Sequence, residues 1–168
     1  MTDLKIIKPE EIQDNVFNLI GSEWMLITAG NKESFNTMTA SWGGLGVLWN
    51  KNVSFVFIRP CRYTYQFIEK ADTYTLSFFD KKYKPALNLC GTKSGRDVDK
   101  IKETGLSPVE TISGSIYFSE ARLVIECRKI YFQDLIPGNF LEPEIEKNYQ
   151  EKDYHRMYVG EIVSGTCS

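Results

Sequence analysis

The chain has 168 residues, of which 42% are hydrophobic and 25% charged, and its formal net charge is −2. This length suits a single domain able to bury a core without metals or disulfides, and the composition is that of a soluble globular protein. No overall basic field exists to hold nucleic acid or an anionic membrane surface, so any bound anion needs a local cluster of cations. Cys61, Cys90, Cys127 and Cys167 are dispersed and have only His155 to join them, which speaks against a zinc site and for reduced thiols in a cytoplasmic protein. The opening "MTDLKIIKPEEIQDN" lacks the apolar core of a secretory signal. No apolar run nears the ~20 residues that span a bilayer.

In chain order, "PEEIQDNVFNLIG" (9–21) predicts a short helix. Pro9 suits its first turn, the acids its positive end, and Gly21 its termination. Ile12, Val16 and Leu19 would face a sheet. Strands are predicted at "EWMLITAG" (23–30), "TMTASW" (37–42), "VSFVFIR" (53–59) and "TYTLSFF" (73–79), from β-branched and aromatic residues bounded by turn formers. "NKESFN" (31–36) is a hairpin connection. "RYTYQFIEKA" (62–71) carries Tyr65, Ile68 and Ala71 at helical spacing, and "KKYKPALNLC" (81–90) is a second short helical piece. Ser94-x-x-Asp97 resembles a capping box opening a helix through about Thr104. "SGSIYFSEARLVIECRKIYFQ" (113–133) holds two strands and "RMYVGEIVSG" (156–165) the last, with an irregular charged loop at 139–155. Many short strands with helices inserted between them predict an α+β, mainly β domain on an antiparallel barrel, spanning 1–168.

"GGLGVLW" (43–49) begins a GxGxxG, but Trp49 takes the third glycine position and no βαβ unit surrounds it. A flexible turn after a strand, or a close approach of a flat ligand to backbone, explains these glycines instead. No nucleophile elbow is present, and His155 in its charged segment reads as a surface or interface residue. "GTKSGRD" (91–97) is more informative. Gly91 and Gly95 let backbone N–H groups converge, a helix start at Asp97 would add partial positive charge, and Lys93 and Arg96 add fixed charges suited to a phosphomonoester. The bland alternative is an exposed helix cap with solvated cations. In "RPCRYT" (59–64), Arg59 and Arg62 flank a proline turn and Thr64 offers a hydroxyl. Thr37, Thr39 and Ser41 alternate along a predicted strand, so their hydroxyls would share one side, and Trp42 would stack on a flat ring or enter the core.

The run from Asn36 to Pro108, with "NTMTASWG", "RPCRYT" and "CGTKSGRDVDK" in this order, resembles the flavin reductase-like, FMN-binding split-barrel family, and its flavoredoxin-type branch most. "HRMYVGEIV" (155–163) is similar to the family's last barrel strand. The resemblance implies a six-stranded, Greek-key split barrel that forms a homodimer, with non-covalent FMN near the subunit interface. It also implies a cofactor site made of Asn36, Met38, Thr39, Ala40, Ser41, Trp42, Arg59, Arg62, Tyr63, Thr64, Lys93, Ser94, Arg96 and Asp97. Asn36, Thr39, Ser41 and Trp42 would line the isoalloxazine and ribityl region; Arg59, Arg62 and Thr64 would sit nearer the phosphate end. Lys93, Ser94 and Arg96 would contact FMN from their loop. The implied activity is hydride transfer from a transiently bound NADH or NADPH to flavin. The alternative is a flavoredoxin-like electron carrier serving a redox protein partner.

Overall fold

The computed structural model describes residues 5–168. In chain order it contains β1 (Lys5–Ile7), α1 (Val16–Asn18), β2 (Met25–Asn31), β3 (Ser34–Ala40), β4 (Gly43–Leu48) and β5 (Lys51–Ile58). There follow α2 (Tyr63–Lys70), β6 (Thr73–Phe78), α3 (Lys84–Thr92), α4 (Lys100–Thr104), β7 (Pro108–Glu110), β8 (Ile116–Phe118), β9 (Leu123–Asp134) and β10 (Arg156–Cys167). The main sheet runs β3-β2-β6-β9-β10-β5-β4, antiparallel throughout, with β1 added to the far half of β10; β7 and β8 form a separate ribbon.

β3 and β4 stand at opposite ends of that order, yet only Ser41 and Trp42 separate them in the chain. The sheet therefore has to curl until its ends meet. Ile27, Met38, Val56, Leu76, Ile125 and Tyr158, from six different strands, accordingly share one buried core, each contributing roughly 1.5–3 kcal/mol for an aliphatic side chain fully removed from water. A second cluster, with Leu26, Leu87, Cys90, Leu106, Phe118 and Val124, fastens α3 to the outside. No ladder joins β3 to β4, so the barrel stays open along one seam. Among the described residues no helix is long and apolar enough to cross a membrane.

The mainly β split barrel is the fold expected, with eight strands in the main sheet where six were expected. The extra length comes partly from "GGLGVL", which is no turn: it is strand β4, paired with β5 from Gly43↔Val56 to Leu48↔Lys51. The first helix is broken into a 3-10 turn at Pro9–Glu11, α1 and a π-helical turn at Leu19–Glu23. Ile12 is extended, and Asn15 starts a new helix by accepting from Asn18 N–H. Gly21 does not end this segment; Trp24, at φ 72°, does. The Ser94 capping box does not form either. Ser94 Oγ accepts from Arg96 N–H, making a turn, and Asp99 caps α4 by accepting from Ile101 and Lys102 N–H. Asp97 therefore lies before the helix, whose start is displaced to Lys100.

Candidate functional site at the open seam

The seam carries a cleft of about 230 Å³. Met38, Thr39, Ala40, Ser41 and Trp42 line it from the end of β3 and the corner into β4, and Phe57 and Arg59 from the end of β5. Arg62 at the head of α2, Gly91 at the end of α3 and His155 complete it. The walls are locked together. Gly91 lies so close to β3 that a Cβ there would sit 3.3 Å from Thr39 Cβ, and the Thr39 hydroxyl donates to the Leu87 carbonyl of α3. Arg62 donates from both terminal nitrogens to the Gly91 carbonyl, at 3.1 Å each.

Of the three alternating hydroxyls, two are consumed inside the fold. Thr37 is buried and its hydroxyl lies 2.9 Å from that of Thr28, while Thr39 bonds to α3. Ser41, past the end of β3, remains for a ligand. Trp42 is 49% exposed, so it is a wall of the cleft and no core tryptophan.

The other expected residues are not all brought to this cleft. Asn36, Tyr63, Arg96 and Asp97 border a neighbouring groove of about 550 Å³. Asn36 is buried and donates from Nδ2 to the hydroxyl of Thr64, 2.7 Å away, which is itself buried. Gly95 packs directly over Asn36 and Tyr63, leaving no room for a Cβ. That glycine serves side-chain packing, where converging N–H groups were expected. Arg96 is exposed, with its guanidinium 4.7 Å from the Tyr63 ring centre and one donor on the Cys61 carbonyl at 3.3 Å. Lys93 is exposed and Ser94 half-buried in the turn after α3; neither lines the cleft or the groove. A larger cleft, about 1060 Å³, lies between α2, the β2–β3 turn and the β7–β8 turn, and shares only Tyr63 with the expected set.

His155, read from sequence as a surface or interface residue, is 7% exposed and faces the cleft. Its ring packs on Trp42, 5.3 Å between centres, and edge-on to Phe57. Nδ1 lies 2.7 Å from the Tyr149 hydroxyl, which leaves Nε2 for a ligand. Arg59 is pinned beside it by Asp153 at 3.1 Å and the Asn148 carbonyl at 2.7 Å, over the Tyr149 ring. Burial, then the nearby Arg59 charge, bring the His155 pKa down to about 4. The folded state thus binds fewer protons here than the unfolded chain, so stability is lost as pH falls from about 6.5 towards 4. His155→Asn is expected to retain roughly 2 kcal/mol more of its pH 7 stability at acid pH than the parent. Urea unfolding of both proteins from pH 7 to 4.5 checks this; equal acid slopes would exclude a neutral buried imidazole. Sequence gave little warning of this residue. Arg156 pairs with Ile58, which puts His155 next to Arg59 only once β10 has docked on β5.

Lys100 also escaped sequence reading. It is 6% exposed, and its Nζ donates to the Thr37 carbonyl at 2.6 Å and the Cys90 carbonyl at 2.9 Å.

An open antiparallel barrel whose unpaired seam gathers an aromatic wall, a hydroxyl, two arginines and a neutral histidine defines the class: a split barrel with a ligand cleft at the split. The chain belongs to the flavin reductase like domain family, whose sequence model matches residues 17–168. Among solved structures it is similar to an FMN-binding domain of a flavin reductases-like enzyme from Shewanella baltica OS155, with 14% identity and a TM-score of 0.71 over 98% of this chain and 77% of that one. It is also similar to a flavoredoxin from Methanosarcina acetivorans, with 21% identity and a TM-score of 0.69 over 96% and 76% of the two chains. A Streptomyces globisporus C-1027 NADH:FAD oxidoreductase matches with 15% identity and a TM-score of 0.67 over 87% and 75%. At these identities the likeness is one of fold. None of the curated proteins matches this chain.

Proposed function

We propose that this protein is an FMN-binding flavoprotein oxidoreductase that takes reducing equivalents from NADH or NADPH. The observation that carries this reading is the seam cleft itself, in a chain of the flavin reductase like family. Its donor set fits a flavin phosphate: a half-exposed indole for a flat ring, the Ser41 hydroxyl and His155 Nε2 for ring or ribityl polar atoms, and Arg59 and Arg62 for an anionic tail. Lys93 and Ser94 follow α3 outside the cleft and Arg96 borders the adjoining groove, so a part in holding FMN would need the ligand to reach beyond Gly91. Bound FMN would supply the hydride-accepting ring, and the protein would supply position and electrostatics. His155, neutral at physiological pH, holds its ring between Trp42 and the Tyr149 hydroxyl, with Nε2 free to meet the ligand.

Purified protein is expected to be yellow, and flavin released on denaturation to be FMN by chromatography. Anaerobic addition of NADH or NADPH is expected to bleach the absorbance near ~450 nm. Colourless protein that takes up no added FMN would sink the reading. A yellow protein bleached by neither nucleotide would favour the electron carrier suggested by the flavoredoxin likeness.

A homodimer belongs to the same proposal. The cleft, at about 230 Å³, is smaller than the roughly 300–1,000 Å³ that ligand pockets occupy, which supports a second wall from a partner. Phe140, Tyr149 and Tyr154 pack on one another inside the chain, so they offer no free aromatic face. Exposed aromatics lie elsewhere, at Phe17, Trp42, Trp49, Tyr131 and Phe132, with Trp49 edge-on to Tyr131 at 5.7 Å. A second copy covering Trp42 would add the missing wall of the cleft. Light scattering of the FMN-loaded protein is expected to give twice the chain mass, and a mass near 19.3 kDa would contradict it.

A further inference from the structure

α3 ends beside the cleft, and its last carbonyls are claimed by side chains from three other elements. Thr39 of β3 donates to the Leu87 carbonyl, Lys100 of α4 to that of Cys90, and Arg62 at the head of α2 to that of Gly91. Two of these donors are cations, which suits the negative end of a helix. Among the described residues, neither pairs with a carboxylate. Arg59, by contrast, has Asp153. A buried ammonium met only by carbonyl dipoles is costly. The fold needs the Lys100 amine, but not its charge, because a neutral amine still carries two N–H donors for the Thr37 and Cys90 carbonyls.

We propose that Lys100 is a positioning residue whose uncompensated charge, together with that of Arg62, makes the cleft select a ligand bearing a phosphate dianion over its unphosphorylated analogue. The inference rests on the flavin reading above and names what sets its specificity: FMN over riboflavin. Burial, reinforced by Arg62, brings the Lys100 pKa down to about 8, so the selecting charge is itself titratable near neutrality. Cys90 on α3 is pushed up from its ordinary value by burial. Arg62 on α2 contributes a fixed charge, and β3 faces the ammonium with the Thr37 carbonyl. Because burial favours the neutral amine, loss of this proton does not weaken the fold.

The test is titration of FMN and riboflavin into flavin-free parent, Lys100→Met and Lys100→Arg between pH 7 and 9.5. Both ligands carry the same ring, so ring ionisation cancels in the ratio of their affinities, and the phosphate is already a dianion above its second pKa of about 6. The parent's FMN-to-riboflavin ratio is expected to fall about tenfold across this range. Lys100→Met starts low and stays flat, while Lys100→Arg stays high and flat. A parent ratio independent of pH, or Lys100→Met losing both ligands equally, overturns the inference and leaves a merely structural lysine. Should Lys100→Met not fold, the parent's own pH series decides. A parent that binds neither flavin overturns the flavin reading itself, so the two failures are told apart.

Discussion

Arg62→Ala is expected to weaken FMN binding ten- to a hundredfold, and riboflavin binding only a few-fold. A charge-assisted contact contributes about 1.5–3 kcal/mol, which converts to that range of affinity. Arg62 lines the cleft, half-buried, and its guanidinium is aimed by the paired bonds to the Gly91 carbonyl. A fork fixed in this way loses little freedom on gripping an oxygen. Arg62→Lys should therefore recover part of the charge and little of the geometry. The few-fold loss for riboflavin reflects Gly91, whose carbonyl loses its partner in Arg62→Ala, so that the wall resting on Thr39 slackens. Arg96→Ala makes the informative comparison, because Arg96 is exposed and borders the adjoining groove. Its loss is expected to be smaller. Calorimetric titration of both flavins into the parent and the three variants measures all of this. Equal losses of FMN and riboflavin in Arg62→Ala would remove that residue from the phosphate end, and a larger loss in Arg96→Ala would move the phosphate into the groove.

Gly160→Ala is expected to destabilise the barrel strongly. Gly160 sits on β10 at a register shift against β9. A Cβ there would run into the Tyr74 hydroxyl and lie 2.8 Å from Cys127 Cβ. Neither neighbour can yield cheaply. Tyr74, Ser54 and Cys127 are fully buried, with the Tyr74 hydroxyl 2.8 Å from Ser54 Oγ and Ser54 Oγ 3.2 Å from Cys127 Sγ. Overpacking costs roughly 1–3 kcal/mol, and displacing the tyrosine hydroxyl from its partner adds about 1–3 kcal/mol for a buried polar group left unmet. About 3 kcal/mol or more in total corresponds to a drop in Tm of roughly 10 °C for a chain of this size. Thermal unfolding by circular dichroism reads it out. Tyr74→Phe in the same background removes the obstructing oxygen and should restore part of the loss, a coupling expected of residues in contact. A Tm for Gly160→Ala within a degree or two of the parent would show that the barrel relaxes here.

The barrel strands were legible because their side chains obey local rules. "EWMLITAG", "TMTASW", "VSFVFIR" and "TYTLSFF" are rich in β-branched and aromatic residues and fall on β2, β3, β5 and β6, although β3 starts at Ser34, inside the expected hairpin connection, and ends at Ala40. The helix at Tyr63–Lys70 followed its 3.6-residue spacing, burying Thr64 and Ile68. β4 was not legible, since glycine disfavours strands in isolation. Its pairing with β5 overrides that, and the Phe55 ring, 3.7 and 3.8 Å from the Cβ positions of Gly44 and Gly46, covers the face the glycines leave bare. The start of α4 was misplaced for a related reason. Ser94 and Asp99 both have capping side chains, and only the folded chain shows the Ser94 oxygen engaged by Arg96 N–H.

For the site, the sequence by itself determined which chemistry was available: hydroxyls and an indole in "NTMTASW", arginines around a proline, and a cationic loop in a chain with net charge −2. It also determined the family to which those motifs point. Only the tertiary structure decided which of these groups meet. Curling the sheet brings the end of β3 to the end of β5 and the last turn of α3, so Trp42, Arg59 and Arg62 share a cleft while Arg96 faces another groove. The docking of β10 on β5 places His155 against Trp42, and α4 carries Lys100 beneath β3. Motif recognition depends on neighbours in the chain, whereas burial, and with it the depressed pKa values of His155 and Lys100, depends on elements distant in sequence that exclude water from the same place.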